Sequence, residues 1–278
     1  MVTRLATHSM EDHVTHAKMN PGYVDATYLQ SIVQLARPIK QRSYELMDLR
    51  AGHHVLDVGC GTGIDTISLA QIVGPTGRVV GIDYDAEMIS AAHQRSQEAG
   101  VQSWVHHDEG DATALPYEND SFDRVRSERV FQHVADPARV LAEMIRVTKS
   151  GGRAVVADTD HSSVSIDCVD PGMLDIEWRL RRCHTEKHLN GYAGRQLYRL
   201  FKNAGLNDII VELFPIPVTR YQLVRYFGAM EQTEARAIAN GIVSVEELQR
   251  WHAMLEGVDA QGAFFGYIVM VLVAGCKP

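Results

Sequence analysis

The chain has few cysteines, a deficit of positive charge and no long apolar run, and each shortage removes a class of protein. Cys60, Cys168, Cys183 and Cys276 stand at spacings that match no zinc or dithiol motif. They read as reduced thiols of a cytoplasmic protein. A chain of 278 residues buries enough apolar surface to fold without such staples. Lysine and arginine total 27 against 35 acidic residues, a formal net charge of −8. The densest basic cluster, Arg179, Arg181 and Arg182, is flanked by Glu177 and Glu186. Proteins that bind DNA or large RNA present a basic face, so neither is an expected partner. No run approaches the roughly 20 apolar residues of a membrane span, and the longest, 267–274, has the length of a strand. The opening residues MVTRLATHSMEDHVTH hold no apolar segment of the signal-peptide kind, so none is expected.

What is present is an alternation. Residues 55–59, VLDVG, read as a short buried strand that runs into a glycine-rich turn. A helix over 64–73 stops at Gly74-Pro75. Strands follow at 78–82, 104–108, 122–126 and 154–158, with helices at 86–98 and 137–148 between them. Strands alternating with helices of this length imply parallel βαβ units and an α/β, doubly wound sheet. The remainder is less regular. Residues 1–50 read as a helical arm or lid, with apolar positions at helical spacing from 25 and a break at Pro38. Residues 51–160 form the core and 161–193 an insertion. Residues 194–278 return to the core, with a second helical lid segment at 218–260 that carries a capping box at Ser244 and Glu247.

The turn after the first strand is Asp57-Val58-Gly59-Cys60-Gly61-Thr62-Gly63. Glycines there let the backbone turn tightly and approach a ligand closely. A dinucleotide fold would show G-x-G-x-x-G, but the sixth position from Gly59 is Ile64, which speaks against a nicotinamide oxidoreductase. Asp83, at the end of the second strand, can accept both hydroxyl hydrogens of a ribose. An aspartate at a strand end forms turns as often, and Asp85 reads as an ordinary helix cap.

The runs VLDVGCGTGIDTISLA, VVGIDYDAEMI and EGDATALPYENDSFDRV together resemble the first three motifs of class I S-adenosylmethionine (SAM)-dependent methyltransferases. The closing run FFGYIVMVLVAGCKP is similar to that of small-molecule enzymes of the ubiquinone and menaquinone biosynthesis type. The resemblance is close over about 50–160. It implies a Rossmann-like seven-stranded sheet with an antiparallel last strand and helical lid insertions. It also implies SAM as cofactor and S-adenosylhomocysteine as product. Gly59, Gly61 and Gly63 would pass under the methionine and ribose, and Asp57 would face the amino group. Asp83 would hold the ribose diol. Tyr84 and Met88 would pack on the adenine, with Gly110, Asp111 and Ala112 beside it. Ser127 would lie near the methionine part, and Arg42 would pair with its carboxylate.

Methyl transfer from a sulfonium is an in-line displacement that asks mainly for positioning and desolvation. The acceptor can need a base, and His161 and His133 are the candidates for catalysis. His184 and His188 stand four apart, a spacing that metal pairs use, but no third ligand accompanies them, so no metal is expected. Ser127-Glu128-Arg129-Val130 stands where nucleic-acid amino-methyltransferases carry Asn/Asp-Pro-Pro-Tyr/Phe, which favours a small-molecule acceptor. A SAM-binding protein that transfers no methyl group and a protein methyltransferase are the rival readings. The acceptor and the oligomeric state are not legible.

Overall fold

The computed structural model describes residues 37–278, the side chains of Tyr226 and Phe227 excepted. The expectations for the arm before Arg37 lie outside the described residues. The strands are β1 (His54–Val58), β2 (Arg78–Asp83), β3 (Val105–Glu109), β4 (Phe122–Glu128), β5 (Thr148–Ile166), β6 (Asn207–Val218) and β7 (Gly266–Cys276). The helices are α1 (Arg37–Met47), α2 (Ile64–Val73), α3 (Ala86–Glu98), α4 (Pro137–Val147), α5 (Leu174–Glu186), α6 (Ala193–Asn203), α7 (Tyr221–Phe227), α8 (Met230–Ala239) and α9 (Val245–Ala260).

The strands form one sheet in the order β3-β2-β1-β4-β5-β7-β6. The pairs among β1 to β5 are parallel, and β7 runs antiparallel between β5 and β6. This is the doubly wound, Rossmann-like architecture with an antiparallel last strand. Strand order reverses between β1 and β4, and in such sheets ligands bind beyond the carboxyl ends of the strands at that point.

Period-two alternation assigns each strand residue to a face. Leu56 and Val58 pack with Val80 and Ile82 against Leu141 and Met144 of α4 and Phe201 of α6. Val55 and Val79 face the other way, onto Leu69 and Val73 of α2 and Ile39 and Met47 of α1. Both faces are covered, which explains the nearly unbroken β-branched runs. Asp57 lies on the α1–α2 face, so this one carboxylate is carried into the interior.

The sequence ends the fifth strand near 158. The strand instead continues to Ile166, with a bulge between Asp160 and Ser165, because β6 and β7 extend past the sheet at the same edge and supply the partners. The extension carries a helical layer with its own core. Ile176, Leu180 and Cys183 of α5 meet Tyr221, Ala237, Leu248, Trp251, Leu255 and Phe264. The segments read as separate lid pieces at 161–193 and 218–260 therefore pack on each other. Tyr221, Trp251 and Phe264 belong to its core. The capping box is formed: Ser244 Oγ accepts from Glu247 N at 3.1 Å, and Glu247 Oε2 accepts from Ser244 N at 2.7 Å. Ser244→Ala should cost about 1 kcal/mol. In a thermal melt this reads as a drop of about 2–4 °C, and an unchanged midpoint would mean that α9 does not depend on its cap.

Candidate functional site

The turn after β1 is built from the backbone outward. Gly59, Gly61 and Gly63 have φ of 74°, 51° and 74°, in the region that costs other residues about 1 kcal/mol or more. A Cβ on Gly59 would lie 2.1 Å from Val130 Cγ2, and one on Gly63 would lie 2.9 Å from Ala92 Cβ. These two glycines are thus required by packing before any ligand is considered. Gly59 N and Cys60 N both donate to Ile82 O, at 2.7 and 3.0 Å, which ties the turn to β2.

Asp83 ends β2 beside this turn. Its Oδ2 accepts from Gly61 N at 2.8 Å and its Oδ1 from Asp85 N at 3.1 Å. These bonds orient the carboxylate and leave lone pairs on both oxygens. Burial pushes its pKa up against those two bonds. Asp85 caps α3 as expected. Tyr84, which follows Asp83 in the chain, is 74% exposed, and Met88 in the first turn of α3 is half-buried. Gly110 N donates to Asp83 O at 2.9 Å, so the segment after β3 is held to the same edge. There Asp111 is exposed, with Oδ1 accepting from Thr113 N, and Ala112 packs inward. Thr62 Oγ1 and Ser127 Oγ are buried and meet no partner among the described residues. Unpartnered buried hydroxyls cost about 1–3 kcal/mol each, so these two can take a polar ligand group.

Beneath them lies an ion cluster that the sequence did not announce. Arg126, 1% exposed, reaches Asp57 at 3.2 Å, Asp65 at 3.2 Å and Glu128 at 2.7 Å. Lys40 of α1 reaches Asp65 at 2.6 Å and Glu128 at 2.8 Å. The Tyr44 hydroxyl donates to Asp65. Three carboxylates face two cations. Burial therefore raises Asp57 to about 7 although Arg126 pulls it down, while for Asp65 the pull of Arg126 and Lys40 outweighs burial and holds it well below the carboxylate range. The signal available was a charged residue at an inward position of a buried strand, DRVRSE. Arg42, expected to pair with the SAM carboxylate, has its guanidinium on Glu212 of β6, at 2.7–3.0 Å, and on Glu45. Lys40 is the cation that α1 brings to this end of the sheet.

On the lid side, the residues after β4 form a short 3-10 turn, Phe131–His133. Asp158, fully buried, pins it by accepting from Phe131 N at 2.7 Å. His161 is buried and both its nitrogens are engaged, Nε2 with Gln132 Oε1 at 2.7 Å and Nδ1 with His184 Nε2 at 3.2 Å. It has no lone pair left for an acceptor. Gln132 Nε2 meets His133 Nε2 at 2.9 Å, and the His133 residue is exposed. Since Gln132 takes the His161 proton on its oxygen, its amide donates to His133, whose own proton then sits on Nδ1. His184 and His188, read as a pair without a third ligand, have His161 beside them in the fold.

Residues 49–205 match the family model described as "Methyltransferase domain". Over 259 residues, 91% of the chain, it is 36% identical to an uncharacterized 37.1 kDa protein in transposon TN4556 of Streptomyces fradiae and covers 72% of that protein. Over 160 residues, 56% of the chain, it is 38% identical to demethylmenaquinone methyltransferase of Oceanobacillus iheyensis and spans 66% of that enzyme, just under two thirds. The fold is also that of YcgJ from Bacillus subtilis, with a TM-score of 0.60 at 22% identity over 88% of this chain and 98% of that one. No helix among the described residues is long and apolar enough to cross a membrane.

Proposed function

The chain belongs to the methyltransferase-domain family of SAM-dependent enzymes, and from that premise we propose that it methylates O, N or C of a small-molecule acceptor held between the carboxyl edge of the sheet and the helical layer. The observation that carries this reading is the layer itself. It has a core of its own and is carried on the part of β5 that runs past Asp158, beyond the carboxyl end of the parallel strands, which suits a compact acceptor better than a polymer. The net charge of −8 argues in the same direction, against nucleic acid.

The residues present fit the cofactor. Asp83, already oriented by two backbone donors, would hold the ribose diol. Thr62 and Ser127 offer the two unpartnered hydroxyls to the methionine part. Tyr84 and Met88 would pack on the adenine, and Asp111 would accept from its amino group beside Gly110 and Ala112. Asp57 would take the amino group, whose positive charge balances the third carboxylate of the ion cluster. When bound, SAM supplies a methyl group already activated on a sulfonium. What is left to the protein is orientation and exclusion of water. His133, whose Nε2 meets Gln132, would orient the acceptor. His161 acts through Gln132 as a positioning residue.

The acceptor class is tested by incubating the protein with SAM and separate pools of phenols, quinols, amines, peptides and nucleic acid, and measuring S-adenosylhomocysteine. Turnover confined to small molecules is expected. Turnover on peptide or nucleic acid would overturn the reading. Binding without turnover on any pool would favour a SAM-binding protein that transfers no methyl group.

A pH dependence follows from Asp57. Its folded value of about 7 lies above the ordinary carboxylate value, so it holds a proton at pH 6 in the free chain. An ammonium ligand requires the ionised form, so binding releases that proton. SAM affinity should therefore rise as pH increases through about 7 and fall again once the ligand's own α-amino group, at about 7.7–8.0, loses its proton. Titrations at several pH values check this. The rising limb should vanish in Asp57→Asn; a rise that survives there belongs to another group.

A further inference from the structure

The proposed cofactor site uses none of His161 of β5, His184 of α5 and His188 just after it. We propose that His161, His184 and His188 form a binding site for a divalent ion of the zinc type. The inference stands on their geometry and not on the methyl-transfer reading.

One ring nitrogen of each residue lies within 4.8 Å of the others. His161 Nδ1 and His184 Nε2 are 3.2 Å apart. Two imidazole nitrogens bound at about 2.0–2.1 Å to one tetrahedral ion stand roughly 3.3–3.4 Å apart, so this pair is already spaced as ligands. In the ion-free chain one of the two carries a proton and the contact is a hydrogen bond; an ion displaces that proton.

The outward nitrogens make the same case. A metal-bound imidazole donates its other N–H to an oxygen that fixes its orientation. His161 Nε2 has Gln132 Oε1 at 2.7 Å, and His184 Nδ1 has Thr233 Oγ1 at 3.4 Å. Lys187 Nζ donates to Thr233 Oγ1 at 3.1 Å and to Gly228 O at 2.6 Å, so its protons are engaged by oxygens. Independently, His188 Nε2 is buried and meets no partner among the described residues. Its ring stacks on that of His161, with centroids 3.6 Å apart and planes 16° apart, so coordination asks it to tilt out of the stack.

The donor set selects the ion. Three neutral imidazoles without a carboxylate suit Zn²⁺, Co²⁺, Ni²⁺ or Cu²⁺, and do not suit Mg²⁺ or Ca²⁺, which want oxygen. Three protein ligands leave a fourth position of the tetrahedron for water or a ligand atom.

The test is equilibrium dialysis of the full chain, freed of any histidine tag, against Co²⁺ and Zn²⁺ chloride, with the visible spectrum of the Co²⁺ form. One ion per chain with the intense bands of tetrahedral Co²⁺ is expected, together with no Mg²⁺ uptake. His184→Ala and His188→Ala should abolish the bands. Gln132→Leu should keep them while weakening affinity about 10–100-fold. Circular dichroism checks that each variant is folded. His188, beyond the end of α5 and only partly buried, keeps the test available if His184→Ala does not fold. Sub-stoichiometric uptake, octahedral spectra, or bands undiminished in His188→Ala would overturn the proposal.

Discussion

Arg126→Met should lower folding stability by about 3–5 kcal/mol, the cost of removing one partner from a buried charge network. Arg126 stands between Asp57, Asp65 and Glu128 at 2.7–3.2 Å and is 1% exposed. Without it three carboxylates are left with Lys40 alone. Methionine fills the volume, so the loss reports charge and not a cavity. Against a total of about 5–15 kcal/mol this is a large fraction, and the urea midpoint should fall accordingly. The sign with pH is fixed. Asp65 sits below its unfolded value because of Arg126 and Lys40, so its contribution is present above the ordinary carboxylate range and is lost as pH falls. The gap between wild type and variant should narrow in acid. A loss under about 1 kcal/mol at pH 7 would show that water or relaxation already screens the cluster.

Asp83→Ala should weaken SAM binding by two orders of magnitude or more. A carboxylate accepting two ribose hydroxyls makes two charge-assisted bonds, each about 1.5–3 kcal/mol. The same change frees Gly61 N and Asp85 N, so part of the effect is a loosened turn. Asp83→Asn separates the two causes, because its remaining oxygen can still accept from a backbone donor while it no longer accepts both hydroxyls. Calorimetry of SAM and S-adenosylhomocysteine should rank wild type above asparagine above alanine. Affinities within about threefold of one another would remove Asp83 from the ribose role.

The sheet was legible because its strands are buried on both faces and its helices end on glycine or proline. VLDV and RVVGID have no other comfortable place than a covered parallel sheet. The end of β5 was not legible. HSSVSI alternates weakly, and it stays in the sheet only because β7 pairs with it, some hundred residues later in the chain. The site divides in the same way. Asp57, the glycines and Asp83 share two local motifs. Arg126 meets Asp57 across 69 positions, a pairing that no local pattern encodes. Arg42 and Lys40 differ in helix phase. Two residues along a helix turn by about 200°, so Lys40 faces the cluster while Arg42 faces Glu212. His184 and His188 showed the spacing of a ligand pair, but His161 joins them only through the fold.

The central claim is that the turn between β1 and α2, with Asp83 beside it, holds SAM. The most direct measurement is a calorimetric titration of the wild-type chain with SAM, with S-adenosylhomocysteine and with NAD. One site of micromolar affinity for both adenosyl compounds, and none for NAD, is the expected result. Binding of NAD in their place, or of none of the three, would contradict it.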